Sequence, residues 1–179
     1  MTAESHYRQL LAAVRGLVRC DAAALLRLEP AQDGADAPPV LQPVAVDGLS
    51  EEALGRRFQV QAHPRLARLL ASEAGLRFPA DAGLPDPYDG LVDGPGEGRP
   101  ELLAVHDCMG APLRHEGRVW GLVTLDALDP QAFDAVAPAQ LGAIVGLLES
   151  GIAAEEAISL LARRAAHEQA LVRELHGGG

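Results

Sequence analysis

Lysine is absent: all 15 cations among the 179 residues are arginine. Arginine and lysine serve equally well on most solvated surfaces, so the absence reads as compositional bias rather than function. Aromatic residues make up only 3%, which demands an aliphatic core and makes each aromatic position stand out. Cysteine is scarce too. Cys20 and Cys108 cannot form a disulfide framework, so each is a free buried thiol or a ligand. No stretch approaches the roughly 18 apolar residues that span a bilayer. The opening MTAESHYRQLLAAVRG lacks the basic start and apolar run of a secretion signal. The expected location is the cytoplasm. The net charge is −10, with no basic patch of the kind a free-standing nucleic-acid binder carries. An acidic surface also disfavours anionic membranes.

What is present is enough apolar residue, 48%, to build one domain with an appended helix. Residues 5–19 place Tyr7, Leu10, Leu11, Val14, Leu17 and Val18 at helical spacing. CDAAALLRLEP and VLQPVAVDG read as strands, with Pro43 marking an edge or a bulge. LSEEALGRRF predicts a short helix capped by Ser50, and HPRLARLLASEAG another that starts at Pro64 and ends at Gly75. LRFPA is a short strand. ELLAVHDCMGAPLRHEGRVWGLVTLDAL predicts an antiparallel hairpin turning at HEG. From Pro138 to about Leu175 the chain is helix-competent throughout. Such a helix would reach on the order of 50 Å, so it should project outwards or pair with a partner helix. The order of elements is α+β: an antiparallel sheet covered by helices, residues 1–150 forming the domain and 151–179 the outgoing helix.

The chemistry-bearing residues gather in three places. In AVHDCMG, His106 and Cys108 are two apart on a strand and so share a face, with Asp107 on the other. They are half of a transition-metal site, or a buried thiol beside a satisfied imidazole. Asp126 ends the paired strand, as a turn cap or as a third donor brought opposite residues 106–108 by the hairpin. The loop LPDPYDGLVDG holds Asp86 and Asp89 three apart within a turn stiffened by Pro85 and Pro87. Carboxylates, one His and one Cys with an open position suit a ferrous non-haem centre better than structural zinc or calcium. Arg65 near a helix start is a surface arginine, or a donor fork for a metal-bound ligand or an aspartate. The glycines of DGPGEGRP, in a stretch expected to be flexible, lack the Lys and Ser/Thr of a phosphate loop.

CDAAALLRLE, VAVDGL, LGRRF, HPRL, RFPADAGLPDPYDGL, HDCMGAPL and GLVTLDAL together closely resemble the N-terminal GAF domain of the NorR family. These are bacterial nitric-oxide-responsive activators that work with the sigma-54 polymerase. The resemblance covers roughly residues 5–160, and the LPDPYDGL loop is its most specific motif. It implies a GAF-type antiparallel sheet flanked by helices, and a mononuclear non-haem Fe(2+) that binds nitric oxide. It implies Asp86, Asp89, His106, Cys108 and Asp126 as metal ligands and Arg65 as the signalling arginine beside them. It also implies a regulatory role, not an enzymatic one: holding a neighbouring AAA+ ATPase domain inactive. No Walker A loop or helix-turn-helix occurs in the chain. The expectation is therefore a regulatory fragment of a longer activator that does not touch nucleic acid itself, with a homodimer through the C-terminal helix. Two other readings stand beside it. One is a metal-free GAF pocket for a small organic ligand. The other is a GAF-type thiol reductase, disfavoured because Cys20 and Cys108 are far apart in sequence.

Overall fold

The computed structural model describes residues 2–29, 38–93, 104–136 and 138–177. The glycine-rich stretch 94–100, most of the loop after Pro30, and the last two glycines lie outside the described residues. The elements are α1 (Ala3–Leu17), β1 (Ala22–Leu28), β2 (Val40–Asp47), β3 (Phe58–Gln59), α2 (Pro64–Ala71), β4 (Leu76–Phe78), β5 (Asp107–His115), β6 (Arg118–Ala127) and α3 (Pro138–Gly177). The strands form one antiparallel sheet in the order β3-β2-β1-β6-β5-β4. No described helix is long and apolar enough to cross a membrane.

Each face of the sheet buries one set of alternating side chains. Ala23, Leu25, Met109, Val123 and Leu125 meet Tyr7, Leu11 and Val14 of α1 and Ile144, Leu148 and Ile152 of α3. Ala24, Leu26, Cys108 and Leu122 meet α2 and the loop 84–92 through Leu66, Leu69, Tyr88, Leu91 and Val92. This period of two is the pleat of a strand buried on both sides. It breaks at Trp120. β5 and β6 pair Leu113 with Gly121 and Arg114 with Val119, leaving Trp120 as the extra residue of a bulge. Leu122, on β6, faces α2, yet Trp120, two residues earlier, packs with the α1–α3 core. Its indole meets Tyr7 edge-on at 5.7 Å and donates from Nε1 to Glu156 at 3.1 Å.

The hairpin turns at Glu116 and Gly117, both with positive φ (51° and 76°), as the right-handed twist of the strands prefers. A second bulge falls where expected, since β1 pairs Leu25 with Ala45 and Leu26 with Pro43. Two caps differ from expectation. The segment Glu51–Gly55 is a 3-10 helix, and the Ser50 hydroxyl is buried with no hydrogen-bond partner among the described residues. Helix α2 stops at Ala71 with Ser72 as its cap, because Gly75 is needed elsewhere: a Cβ there would lie 2.0 Å from Leu141 Cδ2 of α3.

Candidate metal centre

Three elements converge beneath α2. Cys108 of β5 is directly opposite Asp126 of β6, and the loop 84–92 brings Asp86 over them. One donor atom from each of Asp86, Cys108 and Asp126 lies within 4.8 Å of the others, and all three residues are buried. Helix α2 can sit this close to β5 because Gly110 has no side chain. A Cβ there would stand 2.5 Å from Val123 O and 2.9 Å from Leu69 Cδ1. That approach sets Arg65, on the first turn of α2, against the cluster.

The loop is held by its own polar groups. Asp86 Oδ1 accepts from the Tyr88 N–H at 2.8 Å, and its Oδ2 accepts from Arg65 Nη1 at 2.7 Å. Arg65 also donates from Nε and Nη2 to Leu84 O, at 2.9 and 2.7 Å, so its guanidinium grips both ends of the first turn. Tyr88 is fully buried, edge-on to Phe58, with its hydroxyl 3.5 Å from Thr124 Oγ1. The second half of the loop is stitched to the end of β2 by Ser50 N–H to Leu91 O and Asp93 N–H to Gly48 O, both at 2.8 Å.

Asp126 is the anomaly. Both of its carboxylate oxygens are buried, and neither has a hydrogen-bond partner among the described residues. A turn cap would have one; the cap at this corner is Asp21, whose Oδ2 accepts from Leu128 N–H. Burial holds the Asp126 carboxyl well above its ordinary pKa, and the Asp86 carboxylate adds to the rise. Cys108, Arg65 and Thr124 oppose it without cancelling it. Burial likewise pushes the Cys108 thiol up, reinforced by Asp126 and then Asp86. Asp86 is raised to about 6 by burial, against the pull of the Tyr88 N–H and Arg65. Fully ionised, the cluster sets three negative charges against the one positive charge of Arg65. A divalent cation would supply the balance, and orphaned oxygens beside a thiol are the donors it would use. The residues therefore fit a metal ion.

Of the six residues singled out from sequence, the structure brings four together: Asp86, Cys108, Asp126 and Arg65. His106 precedes β5, is exposed, and lies outside the cluster; its N–H bonds to Ala127 O. Asp89 is also exposed, and its Oδ1 accepts from Val105 N–H at 2.8 Å, tying the loop to the segment that leads into β5. Asp107 faces the other side of the sheet, where it accepts from Arg77 Nε and Nη2 and from Phe133 N–H. Thr124 was missed from the sequence. It lies two residues before Asp126 on the same strand face, which is the signal that could have found it.

An apolar pocket of about 360 Å³ lies on the opposite face of the sheet, between β4, β5 and the start of α3. Met109, Phe133, Leu141 and Val145 line it, and none of the cluster residues does.

The GAF domain model matches residues 3–152. The nitric oxide reductase transcription regulator NorR1 of Cupriavidus necator is 48% identical over 145 residues, covering 81% of this chain and 26% of that protein. The anaerobic nitric oxide reductase transcription regulator NorR of Serratia proteamaculans is 39% identical over 165 residues, covering 92% and 30%. These relatives are transcription regulators, and the chain spans between a quarter and a third of their length. Among solved structures, a GAF domain/HD domain protein from Geobacter sulfurreducens superposes with a TM-score of 0.61 over 88% of this chain and 94% of its own, at 15% identity. A six-stranded antiparallel sheet with helices on both faces, and a family match across nearly all of that fold, lead to one assignment: the chain belongs to the GAF domain family.

Proposed function

We propose that this domain senses nitric oxide through a mononuclear non-haem ferrous ion and regulates an attached sigma-54-dependent activator. The observation that carries the proposal is the buried trio of Asp86, Cys108 and Asp126, with the two Asp126 oxygens left without partners. Similarity to nitric oxide reductase regulators supports the choice of signal. Two carboxylates and a thiolate suit ferrous iron better than structural zinc, which favours several Cys or His ligands in a closed tetrahedron. Asp86, Cys108 and Asp126 would hold such an ion through three protein donors, and it would supply open positions for a diatomic ligand.

The protein's own residues divide the remaining work. Arg65 fixes the geometry of Asp86 and neutralises part of the cluster's charge. Tyr88, fully buried, plugs the site from the loop side and excludes water. His106 and Asp89, both exposed and outside the trio, are the remaining candidates from the sequence to complete the ligand set. The loop 84–92 is the element to respond, because Arg65 and Asp86 link it to both the site and α2. The response would leave through α3 to a neighbouring AAA+ domain of the longer cytoplasmic protein, which acts on nucleic acid through domains other than this one.

The test is anaerobic loading with ferrous iron followed by nitric oxide, read by optical and paramagnetic-resonance spectroscopy. One equivalent of iron bound, with a new paramagnetic signal on nitric oxide addition, is the expected result. A chain that takes up no ferrous iron, or whose iron ignores nitric oxide, would sink the proposal. The pocket beside Phe133 favours a second reading, a small apolar organic ligand bound without metal. That reading expects such ligands to bind equally well when Asp126 is replaced.

A further inference from the structure

Strand β5 buries Cys108 on the cluster side of the sheet and its neighbour Met109 on the other, where the apolar pocket of about 360 Å³ lies. Interiors this size are normally filled, since close packing leaves few hollows larger than a water molecule. The gap here comes from a shortage of side chain. β4 closes the sheet after only three residues, and Ala111 of β5 and Gly142 of α3, which both line the gap, are too small to fill it. A Cβ at Gly142 would meet nothing within 4 Å. The wall is also held in place. Asp107, next to Met109's neighbour on β5, accepts from the Phe133 N–H at 3.0 Å and from Arg77 Nε and Nη2, so Phe133 and Arg77 are fixed where they line the pocket. A wall fixed in advance spares a ligand the cost of ordering it.

We infer that this pocket is a second binding site, used beside the buried cluster rather than in its place, and that it takes a flat, uncharged, bicyclic aromatic molecule. Size sets the first limit. The pocket has more than twice the roughly 150 Å³ that admits one benzene, and less than the roughly 400–600 Å³ that one turn of helix fills. Two fused rings match it; a peptide helix does not. The lining sets the second. Met109 and Phe133, both buried, offer a sulfur and a ring face, the contacts that favour an aromatic over an aliphatic guest. Charge sets the third. Arg77 has all three nitrogens committed, Nε and Nη2 to Asp107 and Nη1 to Asp134. Those two carboxylates outweigh it, and exposed Glu73 adds a third at the rim. An anionic ligand therefore finds no free donor and a negative surround. Leu141 and Val145 set the occupant against the opening turns of α3, so filling the pocket bears directly on the helix that leaves the domain.

Calorimetric titration of the 179-residue chain with indole, joined to hydrogen exchange, tests it. Saturable binding with a Kd on the order of 100 µM is expected for so small a ligand, in the metal-free and the ferrous-loaded chain alike. Exchange should slow at residues 75–77, 109–112 and 141–145. Gly142→Leu fills the gap from the helix side and improves helix propensity, so it should melt no lower than the parent and weaken indole binding by about tenfold or more. Indole-3-acetate, the same rings with a carboxylate, should bind about tenfold or more weakly than indole, because burying an unpaired charge is costly. No saturable binding overturns the inference, as does binding unchanged in Gly142→Leu. Slowed exchange confined to 84–92 would place the ligand on the cluster's face and overturn it too. Equal binding of indole-3-acetate overturns the ligand class, and indole displaced by iron overturns use beside the cluster. A chain that takes indole but no iron removes the nitric oxide reading and leaves this site standing; one that takes iron but no indole does the reverse.

Discussion

Cys108 and Asp126 are direct cross-strand partners on β5 and β6, and both face the buried side beneath α2. A carboxylate set opposite a thiol, with no hydrogen bond to either oxygen among the described residues, is a poor arrangement for a fold on its own. Replacing Asp126 with leucine should therefore stabilise the metal-free chain, by about 1–3 kcal/mol. The same change should abolish any stabilisation by added ferrous iron. Denaturant unfolding with and without the metal reads both effects. Loss of stability in the metal-free Asp126→Leu chain would show that the carboxylate is satisfied after all.

The pH dependence of the metal-free chain follows from the same cluster. An acid held more tightly protonated in the folded state than in the unfolded one contributes stability at low pH that is lost as pH rises between the two pKa values. Asp86 moves from its ordinary 3.8 to about 6, so its contribution fades across that window. Asp126 and Cys108, also raised, carry the decline to higher pH. The thermal midpoint should fall from about pH 5 to about pH 8, at no more than about 1.4 kcal/mol per pH unit for each group. Bound metal requires the deprotonated donors, so saturating ferrous iron should flatten or reverse the slope. A midpoint that rises with pH in the absence of metal contradicts the assignment.

Arg65 makes three hydrogen bonds with one planar group, two to Leu84 O and one to Asp86 Oδ2. Arg65→Ala should cost about 2–4 kcal/mol, since it strands a buried carboxyl and a carbonyl together. Arg65→Lys should recover only part, because a single ammonium cannot span both acceptors. Hydrogen exchange at residues 84–92 should rise in both variants, more in the alanine one. Equal stability of Arg65→Lys and the parent would remove the fork from the explanation.

Asp89 caps the Val105 N–H, and asparagine can keep that bond while losing the charge. Asp89→Asn should preserve slow hydrogen exchange at Val105, and Asp89→Ala should accelerate it. Ferrous affinity then separates two roles. If the charge reaches the metal, Asn loses affinity about as much as Ala; if Asp89 only fastens the loop, Asn retains it.

Much of the fold was legible because the longer strands carry a period of two and the helices an apolar row, signals local to the chain. The pairing that sets Cys108 opposite Asp126 followed from placing the hairpin turn at HEG. The short strand Phe58–Gln59 was not legible, since two residues carry no period and pair only because Val40 and Leu41 lie beside them. The exposure of His106 could not be foreseen either. Alternation puts it on the face of Cys108, but β5 begins only at Asp107, whose ties to Arg77 and Phe133 fix the entry of the strand. Ser50 and Gly75 looked like helix caps by residue type, and their tertiary surroundings decided otherwise.

The bulge at Trp120 gives strand β6 two masters. Past it the strand serves the cluster through Thr124 and Asp126; at it, the indole turns to α3 and holds Glu156. Without the extra residue, strict alternation would aim position 120 at the same side as 122, and the helix would lose one of its ties to the sheet, leaving the Arg27–Glu156 ion pair from β1. The buried cluster and the helix contact are thus threaded on a single ribbon, six residues apart. Lengthening or shortening that ribbon by one residue would turn one of the two to the opposite face of the sheet.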